Sequence, residues 1–567
     1  MVNRFLKQGK DILTSQQNSI LSAASVITVM IVFSQIFGLV RQWTILKYLG
    51  KENFSLFMAA FRLPDLVFEV FAFGAFSAAL IPVFTKYLKK DQKMAWDTAS
   101  RVANIGLIIF LFFAIVFGIF SYHFYSVVAF GFNEADTILV SQVARVIFLA
   151  QGFFVISYVI TGVLESSRRF LVPALAPIFY NIGIIAGTLL LSKSLGIYAP
   201  AVGVVFGAIV HLAIQLPVAY KLGFRFTSHL IPNEGVKEVG RLAAPRFIDL
   251  GVLQIQKSAE LFFSSIISLA SYAYLNLANS LQSIPTMLFG ISLAKAALVS
   301  LSHQDDMKEF RRIFSSTLNQ MMFMVVPVSA FMLVLRIPIV RLTYGTSHSL
   351  DWDATVQIGL LLSSFALGIP LQAALALISR AFYARHDTKT PVIISIIDVV
   401  LTLILEAFFV LYLHFPVWSV ALANTLAAFV QVSVLYLLLA EKIGSAKLST
   451  LMPTIRSCLF SVIAATSMFF TLKFFDRSVW IKKLSFLSGL SLNIPFEKFV
   501  LDTRYTFNLI ILTFFVTVLG AGIYLTLSWL FKVDELSNLI RLVIRRKTVL
   551  VPTEKEAIMT STTEDQT

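Results

Sequence analysis

Apolar runs of about twenty residues or more, each closed by a short polar or basic segment, recur along the 567-residue chain. A bilayer core about 30 Å thick needs roughly 20 apolar residues in helical form, so each run predicts a membrane span. The spans fall near 20–41, 56–85, 102–130, 138–164, 170–192, 196–220, 242–269, 272–301, 313–340, 354–384, 391–413, 416–440, 453–475 and 506–531. The expected fold is an all-α polytopic membrane protein of about fourteen transmembrane helices. Runs longer than a bilayer requires, such as 56–85, project beyond it or tilt.

Composition excludes the soluble classes: 57% of residues are hydrophobic, 14% are charged, and mean hydropathy is +0.82. The single cysteine, Cys458, excludes an intramolecular disulfide and argues against a cysteine-based metal site. A net charge of +15 would suit nucleic acid, but the positions of the charges argue for membrane topology and against a nucleic-acid partner. One set of loops carries Lys86, Lys89, Lys90 and Lys93, then Arg168 and Arg169, then Lys221, Arg225, Lys237 and Arg241. It continues with Lys308, Arg311 and Arg312, Arg385 and Lys389, Lys442 and Lys447, and the tail from Arg541 to Lys547. The alternate loops near 131–137, 270–272 and 414–416 carry no Lys or Arg. The basic set is therefore cytoplasmic, and both termini lie inside. Residues 1–19 form a polar cytoplasmic segment before a retained first helix. Loop 476–505 is external by this count yet basic, and its stretch WIKKLSFLSGLSL predicts an interfacial amphipathic helix.

A faint internal repeat organises the spans. Arg62-Leu63-Pro64 and Ser283-Ile284-Pro285 share a proline at an offset of 285 − 64 = 221. The basic turns leading to Pro173 and Pro391 repeat at 391 − 173 = 218. Two six-helix lobes in parallel pseudo-repeat follow: an N-lobe at 20–222 and a C-lobe at 236–442, with two C-terminal helices at 453–531 and a cytoplasmic tail at 532–567. Such lobes place a substrate site between them near midplane.

Ionisable groups at membrane depth cost roughly 2.5–3.5 kcal/mol each and usually face a bundle interior or a wet cavity. Arg41, Arg62, Asp65 and Glu69 sit at that depth, the last three on one helical stripe. This is either an internal ion-pair network or a polar substrate path. Arg246/Asp249 and Lys257/Glu260 are spaced to neutralise each other. Lys295 has no local acid and is a ligand candidate; Asp398 and Glu406 have no local cation and are candidates for ion coupling or for pairing with Arg62 or Lys295. No phosphate-binding G-x-x-x-x-G-K-[ST] loop is present, and the seven histidines lack ligand spacing. Asp351-Trp-Asp353 resembles the metal-binding acids of membrane glycosyltransferases, a weak signal in a loop. No catalytic residue, metal or cofactor is expected, and the chain reads as a transporter.

The segments SQIFGLVRQ…FRLPDLVFEVFAFGAFSAALIPVF, LESSRRFLVPALAPIFYNIG and FYARHDTKTPVIISI, in that order, resemble the MurJ/MviN family of lipid II flippases. That family belongs to the wider group that includes MATE exporters and polysaccharide flippases. The resemblance implies fourteen helices, two lobes around a central cavity, and movement of a polyprenyl-pyrophosphate-linked glycan to the outer leaflet of the bacterial inner membrane. It also implies lipids and cell-wall synthesis proteins as partners. Ser34 and Arg41 take the places of the family's first-helix Ser and cavity Arg, and Arg62 that of the basic residue before Leu-Pro. Gln35, Ser55, Phe68, Phe73 and Ser280 stand where the family carries charges. A MATE-like exporter of cations and a non-transporting scaffold remain as alternatives; a net positive cavity favours a phosphate ligand, a net negative one a cation.

Cysteine labelling after residues 90, 169, 225, 310, 387 and 445 is expected to report the cytoplasm, and after 134 and 414 the outside. Two consecutive loops on one side would overturn the fourteen-helix topology.

Overall fold

A computed structural model describes residues 20–70, 74–243, 246–302, 304, 306–444, 452–476 and 500–545. The N-terminal segment, the tail beyond 545 and the expected interfacial helix in 476–505 lie outside the described residues. In chain order the helices are α1 (Ile20–Ala60), α2 (Arg62–Phe68), α3 (Gly74–Lys90), α4 (Gln92–Ile119), α5 (Ser121–Val128), α6 (Glu134–Ser166) and α7 (Leu171–Leu195). Then come α8 (Tyr198–Ala213), α9 (Leu216–Lys221), α10 (Glu234–Ala243), α11 (Arg246–Ile267), α12 (Ser271–Pro285), α13 (Ser292–Ser302) and α14 (Met307–Val334). The chain ends with α15 (Arg336–Thr343), α16 (Trp352–Ala384), α17 (Lys389–Ala407), α18 (Trp418–Ile443), α19 (Met452–Phe475), α20 (Thr506–Leu530) and α21 (Asp534–Arg545).

Among the described residues, twelve helices are long and apolar enough to cross a membrane. They coincide with the expected spans except 56–85 and 242–269. The first of those two is divided among the end of α1, α2 and α3. The second corresponds to α11, a 22-residue helix that carries Arg246, Asp249, Lys257 and Glu260 with Gln254 and Gln256 and is not among the twelve. The polar turn expected between 41 and 56 is also different. The chain stays helical to Ala60, and only Gly50 departs, at φ 78° and ψ 172°, a backbone state that a side chain would strain.

By compactness the chain divides into two units. The first is Met1–Ile284, Arg336–Gly368 and Thr388–Ser433; the second is Pro285–Leu335, Ile369–Asp387 and Val434–Thr567. In the first, α3, α4, α6 and α10 pack around Leu80, Phe84, Trp96, Ile160 and Val163. Lipid tails are as apolar as these side chains, so close packing holds the helices together more than solvent exclusion does. Glycines allow the tightest crossing. A Cβ on Gly183 would lie 2.4 Å from the Cα of Gly207, and one on Gly187 2.5 Å from that of Gly203, so α7 and α8 meet backbone to backbone. In the second unit α14, α19 and α20 close on Phe323, Phe460 and Tyr524.

Proline forces a second device. Pro64 has no N–H to give to the carbonyl of Ala60 four residues back, and the hydrogen-bond ladder is interrupted at Phe61, whose N–H reaches Met58 O at 3.3 Å. The buried hydroxyl of Tyr125 on α5 donates to Ala60 O at 2.8 Å and accepts from the Leu63 N–H at 3.3 Å. The same substitution occurs in the second unit. Pro327 interrupts α14 and leaves Phe323 O without its usual donor, and the Tyr524 hydroxyl reaches that oxygen at 2.8 Å. Both prolines of the sequence repeat, Pro64 and Pro285, are followed within a few residues by a π-helical turn, at 69–70 and Thr286–Ile291.

Tyr125→Phe and Tyr524→Phe keep shape but strand a buried carbonyl. Each is expected to lower stability by about 1–3 kcal/mol, read as a lower thermal midpoint in detergent. Unchanged midpoints would show that the carbonyls find other donors.

Candidate functional site

Just past the interruption at Phe61, α2 carries Arg62 and Asp65, with Glu69 following it. Together with α1, α6, α7, α8 and α12 they line a cavity of about 320 Å³ within the first unit. Irregular backbone is tolerated at membrane depth where it lines such a cavity. Arg62 is almost fully enclosed; its Nη2 donates to Asp65 Oδ2 at 3.2 Å, and its Nε has no partner. The other Asp65 oxygen accepts from Gln151 Nε2 at 2.8 Å. Glu69 accepts from Gln254 Nε2 on α11 at 3.0 Å. Arg41 lines the same cavity beside Tyr180, half-buried, and makes no hydrogen bond or ion pair among the described residues.

The lining thus holds two cations, Arg41 and Arg62, and two carboxylates, Asp65 and Glu69, for a net charge of zero. Net charge does not separate a phosphate ligand from a cation; the pairing does. Arg62 and Asp65 neutralise each other, Glu69 takes an amide donor, and Arg41 is left with no hydrogen bond or ion pair among the described residues.

Neutral polar and aromatic residues complete the wall, and a scan for charges passes over them. Gln151, Tyr158, Tyr180, His211, Tyr272 and Asn276 all line the cavity. Behind His211 lies a buried network in which Ser157 Oγ meets its Nδ1 at 2.6 Å and Gln215 Nε2 donates to Ser157 at 2.9 Å. This fixes the imidazole against Phe154, 5.0 Å away ring to ring. The signal available in the sequence was the presence of Gln and His inside apolar spans, where each needs a partner.

Not every expected residue joins this group. Ser34 lies two turns from Arg41 on α1, half-buried, and contributes its carbonyl to Asn181 Nδ2 at 3.3 Å. Lys295 is an exposed residue of α13 in the second unit. Lys257 and Glu260 do not close an ion pair, because Glu260 turns to accept from Asn424 Nδ2 of α18 at 3.4 Å. The side chains of Arg246 and Asp249 lie outside the described part. Glu406 meets another acid where a cation was expected: it is fully buried on α17, neither carboxylate oxygen has a partner, and the Glu260 charge acts on it. Asp398 is eight residues earlier, about 12 Å along the helix, with its Oδ1 unpartnered. Two positions where the resemblance led charge to be expected hold neutral contacts: Phe68 against Phe110 and Phe154, and Ser280 accepting from Gln42 Nε2 at 2.5 Å.

That last contact belongs to a row of bonds along α1 beyond the cavity. Tyr344 OH donates to Gln42 Oε1 at 2.9 Å, Trp43 Nε1 to Thr346 Oγ1 at 2.9 Å, and Lys51 pairs with Asp351 at 2.7 Å. The Lys51 ammonium, with the Ala354 N–H, holds the Asp351 carboxyl below the usual carboxylate range. Asp351 is thus a helix cap and ion-pair partner, which accounts for it without metal chemistry.

If Arg62 is chiefly the counter-ion of Asp65, Arg62→Ala strands a buried carboxylate at a cost of about 3–5 kcal/mol and yield falls, while Asp65→Asn added to it restores yield. Wild-type yield and thermal midpoint in the single variant would contradict that role.

The lipid II flippase MurJ family model matches residues 45–489. The probable lipid II flippase MurJ of Buchnera aphidicola subsp. Acyrthosiphon pisum is 25% identical over 499 residues, covering 86% of this chain and 96% of the relative. That of Thermotoga maritima is 28% identical over 385 residues, covering 66% and 77%. Among solved structures, a lipid II flippase MurJ in an inward closed conformation aligns with a TM-score of 0.70 at 23% identity, covering 91% of this chain and 99% of that one. An inward-facing multidrug MATE transporter of the MOP superfamily aligns at 0.59 and 15%, covering 74% and 98%, which shows shared fold alone. A multi-pass helical membrane protein with these matches is a transporter of bacterial type, and the chain belongs to the lipid II flippase MurJ family.

Proposed function

We propose that this chain carries lipid II, a polyprenyl-pyrophosphate-linked disaccharide-pentapeptide, from the inner to the outer leaflet of the cytoplasmic membrane by alternating access. The observation that supports this most is Arg41, a guanidinium at membrane depth that lines the cavity and makes no hydrogen bond or ion pair among the described residues. A pyrophosphate supplies the missing anion and suits the two-pronged donor geometry of arginine. Arg62, with its free Nε, is the second contact. The polar lining of Gln151, Tyr180 and Asn276 suits sugar hydroxyls. At about 320 Å³ the cavity is near the lower end of small-molecule sites, roughly 300–1,000 Å³, so a full headgroup enters only as the walls part.

The wider reading assigns an N-lobe at 20–222, a C-lobe at 236–442, appended helices at 453–531 and both termini to the cytoplasm. Ser34 and Lys295 are secondary contacts on the substrate's route, and cell-wall synthesis proteins receive it outside. Glu406, with Glu260 and Asn424 beside it, is the place where a coupling cation or proton would relieve two adjacent buried acids. Asp398 on the same helix is a separate station.

Depletion of the protein is expected to accumulate lipid II on the cytoplasmic side. Arg41→Ala should reach wild-type levels, since Arg41 holds nothing in place, yet fail to relieve that accumulation, and Arg41→Lys should relieve it in part. Accumulation of a different lipid-linked precursor, or full rescue by Arg41→Ala, would refute the assignment.

A further inference from the structure

A groove of about 990 Å³, larger than the polar cavity, runs along the flank of α4, α6 and α8 in the first unit. Its walls, among them Leu107, Leu111, Ile115, Leu149 and Phe153, are apolar or glycine with one exception, Arg145. Arg145 stands at the end where α4 stops. Its Nε donates to the carbonyl of Gly118 at 3.0 Å and to Ser121 Oγ at 3.2 Å, closing the C-terminus of α4. Its two terminal nitrogens make no hydrogen bond among the described residues, and no acidic residue lines the groove.

We infer that this groove binds one anionic phospholipid, with its phosphodiester on the terminal nitrogens of Arg145 and an acyl chain lying toward Leu107. Three observations support it, independently of the lipid II reading. The groove follows α4 from Leu107 to Ile119, twelve residues or about 18 Å, close to the roughly 15 Å of one hydrocarbon leaflet. The single cation sits at one end of that length, where a headgroup lies, and not in the middle. A zwitterionic headgroup would bring an ammonium with no carboxylate to meet it, whereas a phosphatidylglycerol headgroup brings only the anion. The orientation implied by the loop charges puts Arg145 toward the outer leaflet.

The test is native mass spectrometry of the full chain released from micelles with dipalmitoyl phosphatidylglycerol or phosphatidylethanolamine. Wild type should hold one phosphatidylglycerol roughly tenfold more tightly than phosphatidylethanolamine, the order expected of a charge-assisted contact. Arg145→Gln should erase that preference. Gly152→Leu tests the groove without touching the α4 cap. A Cβ there meets only Phe110 and Leu107 side chains at 3.8 and 3.9 Å, so the added side chain grows into the groove and should reduce retention of both lipids. Equal preference in wild type and Arg145→Gln, or retention unaffected by Gly152→Leu, would overturn the site. Undecaprenyl phosphate that displaces phosphatidylglycerol and resists displacement would overturn the phospholipid assignment and give the groove to a polyprenyl chain.

Discussion

The carbonyl of Ala60 is the group on which the site depends. In hydrocarbon a backbone oxygen has no water to bond, so a proline that removes its donor can persist only where another group replaces it. Tyr125 replaces it, and in doing so also holds the Leu63 N–H. The ladder can then be interrupted at Phe61, and Arg62, Asp65 and Glu69 all line one cavity. Tyr524 does the same for Phe323 opposite Pro327, so the remedy belongs to the medium more than to one site.

Most buried charges obey the same constraint. Asp65 is divided between Arg62 and Gln151, Glu69 takes Gln254, and Glu260 takes Asn424. Amides do much of this work because they satisfy a carboxylate without adding a second buried charge. Arg41 and Glu406 stand outside the arrangement, one cation and one acid, on different helices. Groups left unsettled in an otherwise settled interior are where a ligand's charge makes most difference to the free energy. Two positions where charge was expected fit this balance: Phe68 has joined an aromatic cluster and Ser280 a neutral hydrogen bond.

Spans were legible in the sequence because twenty apolar residues have few other uses, and Arg41, Arg62, Asp65 and Glu69 were legible because charge is rare there. Their partners were not. Gln151 and Gln254 are ordinary residues in a hydropathy profile, and their contacts cross 86 and 185 positions of chain. Tyr125 and Tyr524 read as apolar filler until each hydroxyl finds its carbonyl. Helical spacing suggested that Lys257 would answer Glu260, but side-chain direction depends on the helices packed alongside, and Asn424 is the closer partner. The span expected at 242–269 is the helix α11, although it carries four charges.

The central claim is that an unpaired Arg41 receives a pyrophosphate. Equilibrium binding of lipid II to the purified chain tests it directly, with undecaprenol-linked sugar lacking the pyrophosphate as the comparison ligand. Wild type should prefer lipid II by at least roughly tenfold, and Arg41→Ala should lose that preference while keeping its thermal midpoint. Equal affinity for the two ligands in wild type, or a preference that survives Arg41→Ala, would contradict the account.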